Sequence, residues 1–188
     1  ALDAETKRVK GDFPCPSCGA RVSKSSLQKR HTQQYDPVLG QAVETIKRQP
    51  VLIEYTVGGK KHMKRVDAHD LRLLERIEDL APPDFVSDEI PFMHMTHQRA
   101  KMSNAGVTHL HQFFLPRARH ALHALWSRAQ EYPNPRLRAF LLFAVEQAIW
   151  TMSLLDRYRP TGYSQVNQYL TGVYYVASQI SEVSPWYV

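Results

Sequence analysis

The sequence predicts an α+β fold, in which a β-hairpin and a partial zinc-ribbon knuckle pack with an α-helical half as a single compact fragment. Three observations predict this class: a C-x-x-C motif among prolines, two β-rich runs joined by Gly-Gly, and helical apolar periodicity in the second half. Of the 188 residues, 43% are apolar and 22% are charged, which is typical of a globular chain. A chain of this length buries roughly 70% of its unfolded surface and needs no disulfide framework.

The first element is the knuckle at residues 13–19, Phe-Pro-Cys-Pro-Ser-Cys-Gly. Its prolines fix φ and its glycine permits a positive φ, so Cys15 and Cys18 lie on one tight turn. Two thiolates supply two of the four ligands of a tetrahedral zinc ion. Twelve residues separate Cys18 from His31, but no second histidine follows at finger spacing. We expect a zinc half-site of Cys15 and Cys18 with its other ligands outside this chain; the alternative is two free thiols.

Residues 51–66 give the clearest local pattern in the chain. Two β-rich runs, 51–57 and 60–66, flank Gly58-Gly59, and two glycines supply the positive φ that a type I′ hairpin turn requires. The second run is strongly basic and predicts a ribbon that lies along a phosphate backbone. The alternative is that its cations protect an edge strand from aggregation. The candidate DNA-binding residues of this ribbon are Lys60, Lys61, Lys64 and Arg65.

Three helices are predicted after the hairpin. Residues 67–80 predict an amphipathic helix capped by Asp67, and residues 116–132 predict a second one that begins at Pro116. Residues 137–155 predict a strongly apolar helix, which we expect to form the core.

The remaining segments predict shorter or irregular structure. Residues 23–31 predict a short helix, residues 36–40 a turn and residues 172–176 a strand. Residues 108–115 fit either a strand or a helix entry. Residues 82–106 show no period, which predicts a functional or mobile loop.

Charge is distributed unevenly along the chain, whose total is +6. Residues 1–66 hold 13 basic and 6 acidic side chains, residues 67–90 hold 2 and 8, and residues 91–188 hold 9 and 4. Two basic regions suit a polyanion such as nucleic acid, although plain solubility explains them equally well. We divide the chain into a knuckle and hairpin region (1–66), an acidic helix with a long loop (67–106), and a helical core with a C-terminal strand (107–188).

Further arginines, histidines and aromatic residues are candidates for binding. Arg117 with Arg119, and Arg157 with Arg159, are either phosphate contacts or solvated helix ends. Aromatic side chains crowd the end of the chain, where they either stack on a flipped base or belong to the core. A histidine cluster suits a metal, but no carboxylate lies near it in sequence, and packing or capping is the simpler role. The histidines are His94, His97, His109, His111, His120 and His123.

Seven segments, in this order, resemble a bacterial family of site-specific DNA methyltransferases of the N6-adenine or N4-cytosine class. They are residues 12–20, 35–40, 50–60, 108–114, 125–126, 157–160 and 172–175. The similarity covers nearly the whole chain, and it lies in the number and order of the segments because none of them is catalytic.

The resemblance implies an insertion between two parts of a methyltransferase core. In that family the glycine motif for S-adenosylmethionine lies before the insertion and the Asp-Pro-Pro-Tyr/Phe motif lies after it, and neither occurs here. The resemblance also implies an upstream Cys-x-x-Cys that completes a four-cysteine zinc site with Cys15 and Cys18. We therefore expect a piece of a longer protein that alone binds no S-adenosylmethionine and transfers no methyl group.

The expected function is that of a non-catalytic, DNA-contacting insertion domain, whose partners are DNA and the catalytic core of the same parent chain. One alternative is a structural docking domain without direct DNA contact, and another is a histidine-based metal enzyme. The sequence shows neither a signal peptide nor an apolar run long enough to span a membrane, so we expect a cytoplasmic protein.

Overall fold

The computed structural model describes residues 11–92, 102–159, 165–166 and 174–187. Within them the chain forms three α-helices and four antiparallel strand pairs, which confirms the predicted α+β class. The strands are β1 (Asp12–Pro14), β2 (Arg21–Ser23), β3 (His31–Asp36), β4 (Gln41–Ile46), β5 (Leu52–Val57), β6 (Lys60–Arg65), β7 (Asp156–Arg157) and β8 (Gln165–Val166). The helices are α1 (Ala68–Glu78), α2 (Pro116–Gln130) and α3 (Pro135–Thr151).

Three hairpins occupy the N-terminal part of the chain, and β5–β6 confirms the predicted one. Gly58 and Gly59 both have positive φ, 56° and 76°, as its two-residue turn requires. Hairpin β3–β4 was predicted only at its turn, because its strands are rich in polar residues and show no apolar alternation. The short helix predicted at residues 23–31 is wrong, since one 3-10 turn, Lys24–Ser26, precedes β3 there.

The helices begin close to where the sequence predicts. The Asp67 side chain accepts hydrogen bonds from the N–H groups of His69 and Asp70, and the Asp70 side chain accepts one from the N–H of Asp67. Pro116 and Pro135 occupy the starts of α2 and α3, where a missing N–H costs nothing. Residues 108–115 contain a 3-10 turn, Leu110–Phe113, immediately before α2.

The larger apolar cluster is built from irregular segments rather than from α3. A smaller cluster, which includes Ala118, Leu122 and Ala148, joins α2 to α3. The prediction that residues 137–155 form the core helix is therefore wrong in part: within α3 the buried residues are Val145 and Ala148. The buried members of the larger cluster are Ile90, Met102, Ala105, Val107, Phe113, Leu154, Leu155 and Val176.

The described part of the predicted loop at residues 82–106 enters this core, while residues 93–101 lie outside the described residues. Met102 is fully buried, and Gly106 packs on β4 with φ at +67°. A Cβ on Gly106 would lie 2.9 Å from the Glu44 carbonyl oxygen and from the Thr45 Cα, so the glycine permits this close contact. The contact holds hairpin β3–β4 against the core.

The C-terminal part of the chain differs from its prediction. Of the strand predicted at residues 172–176, residues 172–173 lie outside the described residues, and residues 174–176 are not in a strand. Across the described ranges, none of the helices combines the length and apolar character needed to cross a bilayer.

Candidate functional site

Strands β5 and β6 form a ribbon, residues 52–65, whose distal part is exposed on both faces. Every residue from 54 to 63 is exposed. The register pairs Val57 with Lys60 and Tyr55 with His62, and such cross-strand partners share a face. On that face the rings of Tyr55 and His62 stack, with centroids 5.4 Å apart and planes at 21°. The ribbon therefore presents cations beside an aromatic pair.

The four cations predicted on the ribbon have different environments. Lys64 Nζ lies 2.8 Å from Asp70 Oδ2 and 3.2 Å from Asp67 Oδ2, and the hydrogen bonds to Asp70 and Asp67 raise the pKa of Lys64. Lys64 thus ties β6 to the first turn of α1, and its charge is compensated within the protein. The other three, Lys60, Lys61 and Arg65, are exposed along β6.

Strands β1 and β2 present the C-x-x-C turn. The N–H of Cys15 donates to the Ala20 carbonyl at 2.8 Å, and the N–H of Gly19 donates to the Cys15 carbonyl at 2.9 Å. Hydrogen bonds from the backbone N–H groups of Cys18 and Ser17 hold the pKa of the Cys15 thiol below its usual value, which favours the thiolate that binds metal. No third metal-ligating side chain joins the two cysteines within the described residues, so the turn fits two of the four positions around zinc.

The four predicted arginines outside the ribbon have three kinds of environment: one is in an ion pair, one is buried and two are exposed. Arg117 Nη2 lies 2.5 Å from Glu182 Oε2, so an acidic partner compensates its charge. Arg119 is only 8% exposed, and the Nε and Nη1 atoms of its guanidinium are buried. Arg157 and Arg159 are exposed and remain candidates.

A buried polar group joins the β3–β4 turn to the helical half. Asp36 Oδ2 accepts hydrogen bonds from His111 Nε2 at 2.8 Å and from Gln112 Nε2 at 3.1 Å, and Asp36 Oδ1 accepts one from the Val38 N–H at 3.0 Å. Burial alone raises the pKa of Asp36, but the hydrogen bonds from His111 and Gln112 outweigh it and hold the pKa below its ordinary value. The group positions the hairpin rather than a substrate.

The histidines make separate structural contacts. His111 is buried against Asp36, and the Nδ1 atom of His123 lies 2.9 Å from the Asp84 carbonyl oxygen. The rings of His109 and His111 are 5.9 Å apart. In the part of the chain that the structure describes, no cluster of three metal-ligating residues occurs. His94 and His97 lie outside that part.

The predicted aromatic cluster near the C-terminus is likewise divided between core and surface. Tyr174 packs on Phe113 with ring centroids 5.2 Å apart. Tyr175 is 48% exposed and Trp186 is 85% exposed. Tyr163 and Tyr169 lie outside the described residues.

Sequence reasoning missed an exposed aromatic stripe on α3. Phe140, Phe143 and Trp150 are spaced by three and seven residues, which places them on one side of the helix, and they are 67%, 60% and 42% exposed. The apolar run at residues 137–155 contains these side chains, but its apolar character alone does not distinguish a buried helix face from an exposed one. Exposed apolar residues that adjoin one another are typical of interaction surfaces.

Sequence reasoning also missed a basic cluster at the open end of hairpin β3–β4. Lys29 and Arg30 precede β3, and Lys47 and Arg48 follow β4. The N–H of Lys47 donates to the Arg30 carbonyl at 2.9 Å, which brings the two dipeptides together. The two Lys-Arg dipeptides are visible in the sequence, but they are seventeen residues apart. They become neighbours only because β3 pairs with β4.

No protein-family model, no curated protein and no solved structure matches this chain.

Proposed function

We propose that this chain is a non-catalytic, DNA-contacting insertion domain of an S-adenosylmethionine-dependent DNA methyltransferase. The observation that carries the DNA contact is the ribbon, whose residues 54–63 are all exposed while Lys60, Lys61 and Arg65 line its second strand. The methyltransferase context rests on the seven ordered segments of the sequence. Zinc held by Cys15 and Cys18 together with ligands outside the chain is part of the same proposal.

The ribbon suits DNA on physical grounds. A two-stranded antiparallel ribbon fits the width of the major groove, and lysine and arginine along it reach the flanking phosphates. Protection of an edge strand from aggregation needs charge on only one face of the ribbon. Lys60 and Lys61 are successive residues of β6, so their side chains point to opposite faces. Strand β6 thus carries cations on both faces of the ribbon, which suits contact with phosphates on either side of it.

The salt dependence of DNA affinity tests this proposal. In the chain carrying Lys60→Ala and Arg65→Ala, the slope of log affinity against log salt should flatten by about 1.8 units, because each phosphate contact contributes about 0.9. The variant Arg72→Ala with Arg76→Ala is the matched control, since it removes two exposed cations from α1. Equal slopes for both variants would contradict a ribbon contact, and absence of DNA binding by the unmodified chain would refute the proposal.

A second candidate function, favoured by the stripe on α3, is docking onto the catalytic core of the parent protein. Phe140 and Phe143 are more than half exposed, although burial of each ring stabilises a protein by about 1.5–3 kcal/mol. The variant Phe140→Asp with Phe143→Asp should lose binding to the separately prepared core in titration calorimetry, while DNA affinity stays unchanged. Undiminished binding to the core would exclude this face as the docking surface.

A further inference from the structure

The basic cluster of Lys29, Arg30, Lys47 and Arg48 lies where β3 and β4 end. The last ladder pair is His31 with Ile46, and the Lys47 N–H···Arg30 carbonyl bond at 2.9 Å continues it by one residue. Continuation of the same register places Arg30 opposite Lys47, and Lys29 opposite Arg48. Two consecutive cross-strand positions thus each hold two cations.

This arrangement works against folding. Like charges directly opposite each other in an antiparallel pair are destabilising. Within the described residues none of the four has an ion-pair partner, and the neighbouring Glu44 lies 3.0 Å from His31 Nδ1. Burial, and after it the charge of Arg48, lower the pKa of Lys29. Burial likewise lowers the pKa of the half-buried Arg48.

The hairpin has little freedom to separate these charges. Ile46 packs against the larger apolar cluster, and the β4 backbone lies directly against Gly106. At the other end of the hairpin, Asp36 is held by His111 and Gln112. Because both ends of the backbone are fixed to the core, the cross-strand positions of these cations stay paired, and a bound anion would relieve their repulsion.

We infer that Lys29 and Arg48, cross-strand partners on one face of the hairpin end, form a second phosphate-contacting surface for the backbone of a bound nucleic acid. The inference rests on the proposed function, because it assigns a further contact to the same DNA. Successive side chains of a strand point to opposite faces, so Lys29 and Arg48 share one face of the hairpin end while Arg30 and Lys47 share the other. Such contacts position the nucleic acid without reading its sequence.

The test is the salt dependence of binding to a fluorescently labelled DNA duplex of mixed sequence. The variant Lys29→Gln with Arg48→Gln should flatten the slope of log affinity against log salt by about 1.8 units. Its thermal midpoint should equal or exceed that of the unmodified chain, because the substitutions remove a repulsion. Arg72→Gln with Arg76→Gln removes the same charge elsewhere and should leave the slope nearly unchanged. Arg48→Lys keeps the charge and should retain the slope.

The outcomes separate this inference from the proposed function. If the ribbon variant flattens the slope and Lys29→Gln with Arg48→Gln does not, the second surface is refuted and the ribbon contact stands. If both variants flatten the slope and the Arg72/Arg76 control does not, the ribbon contact and the second surface are both supported. If the unmodified chain binds no DNA at low salt, both fail. A lowered thermal midpoint in Lys29→Gln with Arg48→Gln would overturn the repulsion on which the inference depends.

Discussion

Replacing Asp156 with Asn should change how the stability of this protein depends on pH. Asp156 is completely buried, and neither of its carboxylate oxygens has a hydrogen-bond partner within the described residues. Burial raises the pKa of Asp156 to about 7. The carboxyl group is therefore neutral in the folded protein at mildly acidic pH, whereas it is ionised in the unfolded chain.

The sign and size of the effect follow from that difference in pKa. Between about pH 4 and about pH 7 the folded state binds the proton and the unfolded state does not, so the free energy of unfolding falls as pH rises. A difference of about 3 pKa units corresponds to a loss of about 4 kcal/mol, complete above about pH 7. Asn carries no charge, so Asp156→Asn should lose this slope and exceed the wild type above about pH 7 by up to about 4 kcal/mol.

Asp36 provides the matched control, because it is a buried carboxylate with the opposite environment. Hydrogen bonds from His111 and Gln112 hold its pKa below the ordinary value, so its contribution is present at neutral pH and is lost as pH falls through the folded pKa. Asp36→Asn should destabilise the protein by about 1–3 kcal/mol at neutral pH, since it weakens charge-assisted hydrogen bonds.

Urea denaturation followed by tryptophan fluorescence, at a series of pH values from about 5 to about 8.5, measures both variants. Asp156→Asn should give a flatter profile than the wild type, and Asp36→Asn should lie below the wild type at neutral pH. A profile for Asp156→Asn that runs parallel to the wild type over the whole range would refute the reasoning.

Three further outcomes follow from local geometry. Gly106→Ala should cost at least about 1 kcal/mol in urea denaturation, because its Cβ meets the β4 backbone at 2.9 Å; an unchanged midpoint would contradict that contact. Asp67→Ala should lower the free energy of unfolding in the same assay, because it removes the N-cap of α1. The loss should shrink as pH falls toward the Asp67 pKa of about 2, which hydrogen bonds from the Asp70 N–H and from Lys64 hold below its usual value. The chain should retain little zinc against a chelator, and stoichiometric retention in elemental analysis would place the other ligands of Cys15 and Cys18 within it.

Local sequence chemistry determined the elements that depend on a few neighbouring residues. Gly58-Gly59 fixed the ribbon turn because positive φ is required at both positions, and Asp67 with Pro116 marked helix starts because an N-cap or N1 residue acts only on its own first turn. The C-x-x-C turn followed from its prolines and its glycine, which restrict φ locally. The ribbon turn and the knuckle among these features are the ones on which the proposed function rests.

Tertiary contacts decided which of the apolar and basic side chains are exposed to solvent. Residues 140 and 143 are apolar, and only the packing of α2 on another side of α3 leaves Phe140 and Phe143 exposed. Arg119 and Lys64 are basic like Lys60, yet burial removes the first from the surface and two aspartates compensate the second. Composition fixes how much charge and apolar surface a chain carries. Which of it reaches solvent depends on contacts between residues far apart in the chain, and a local pattern holds no information about those.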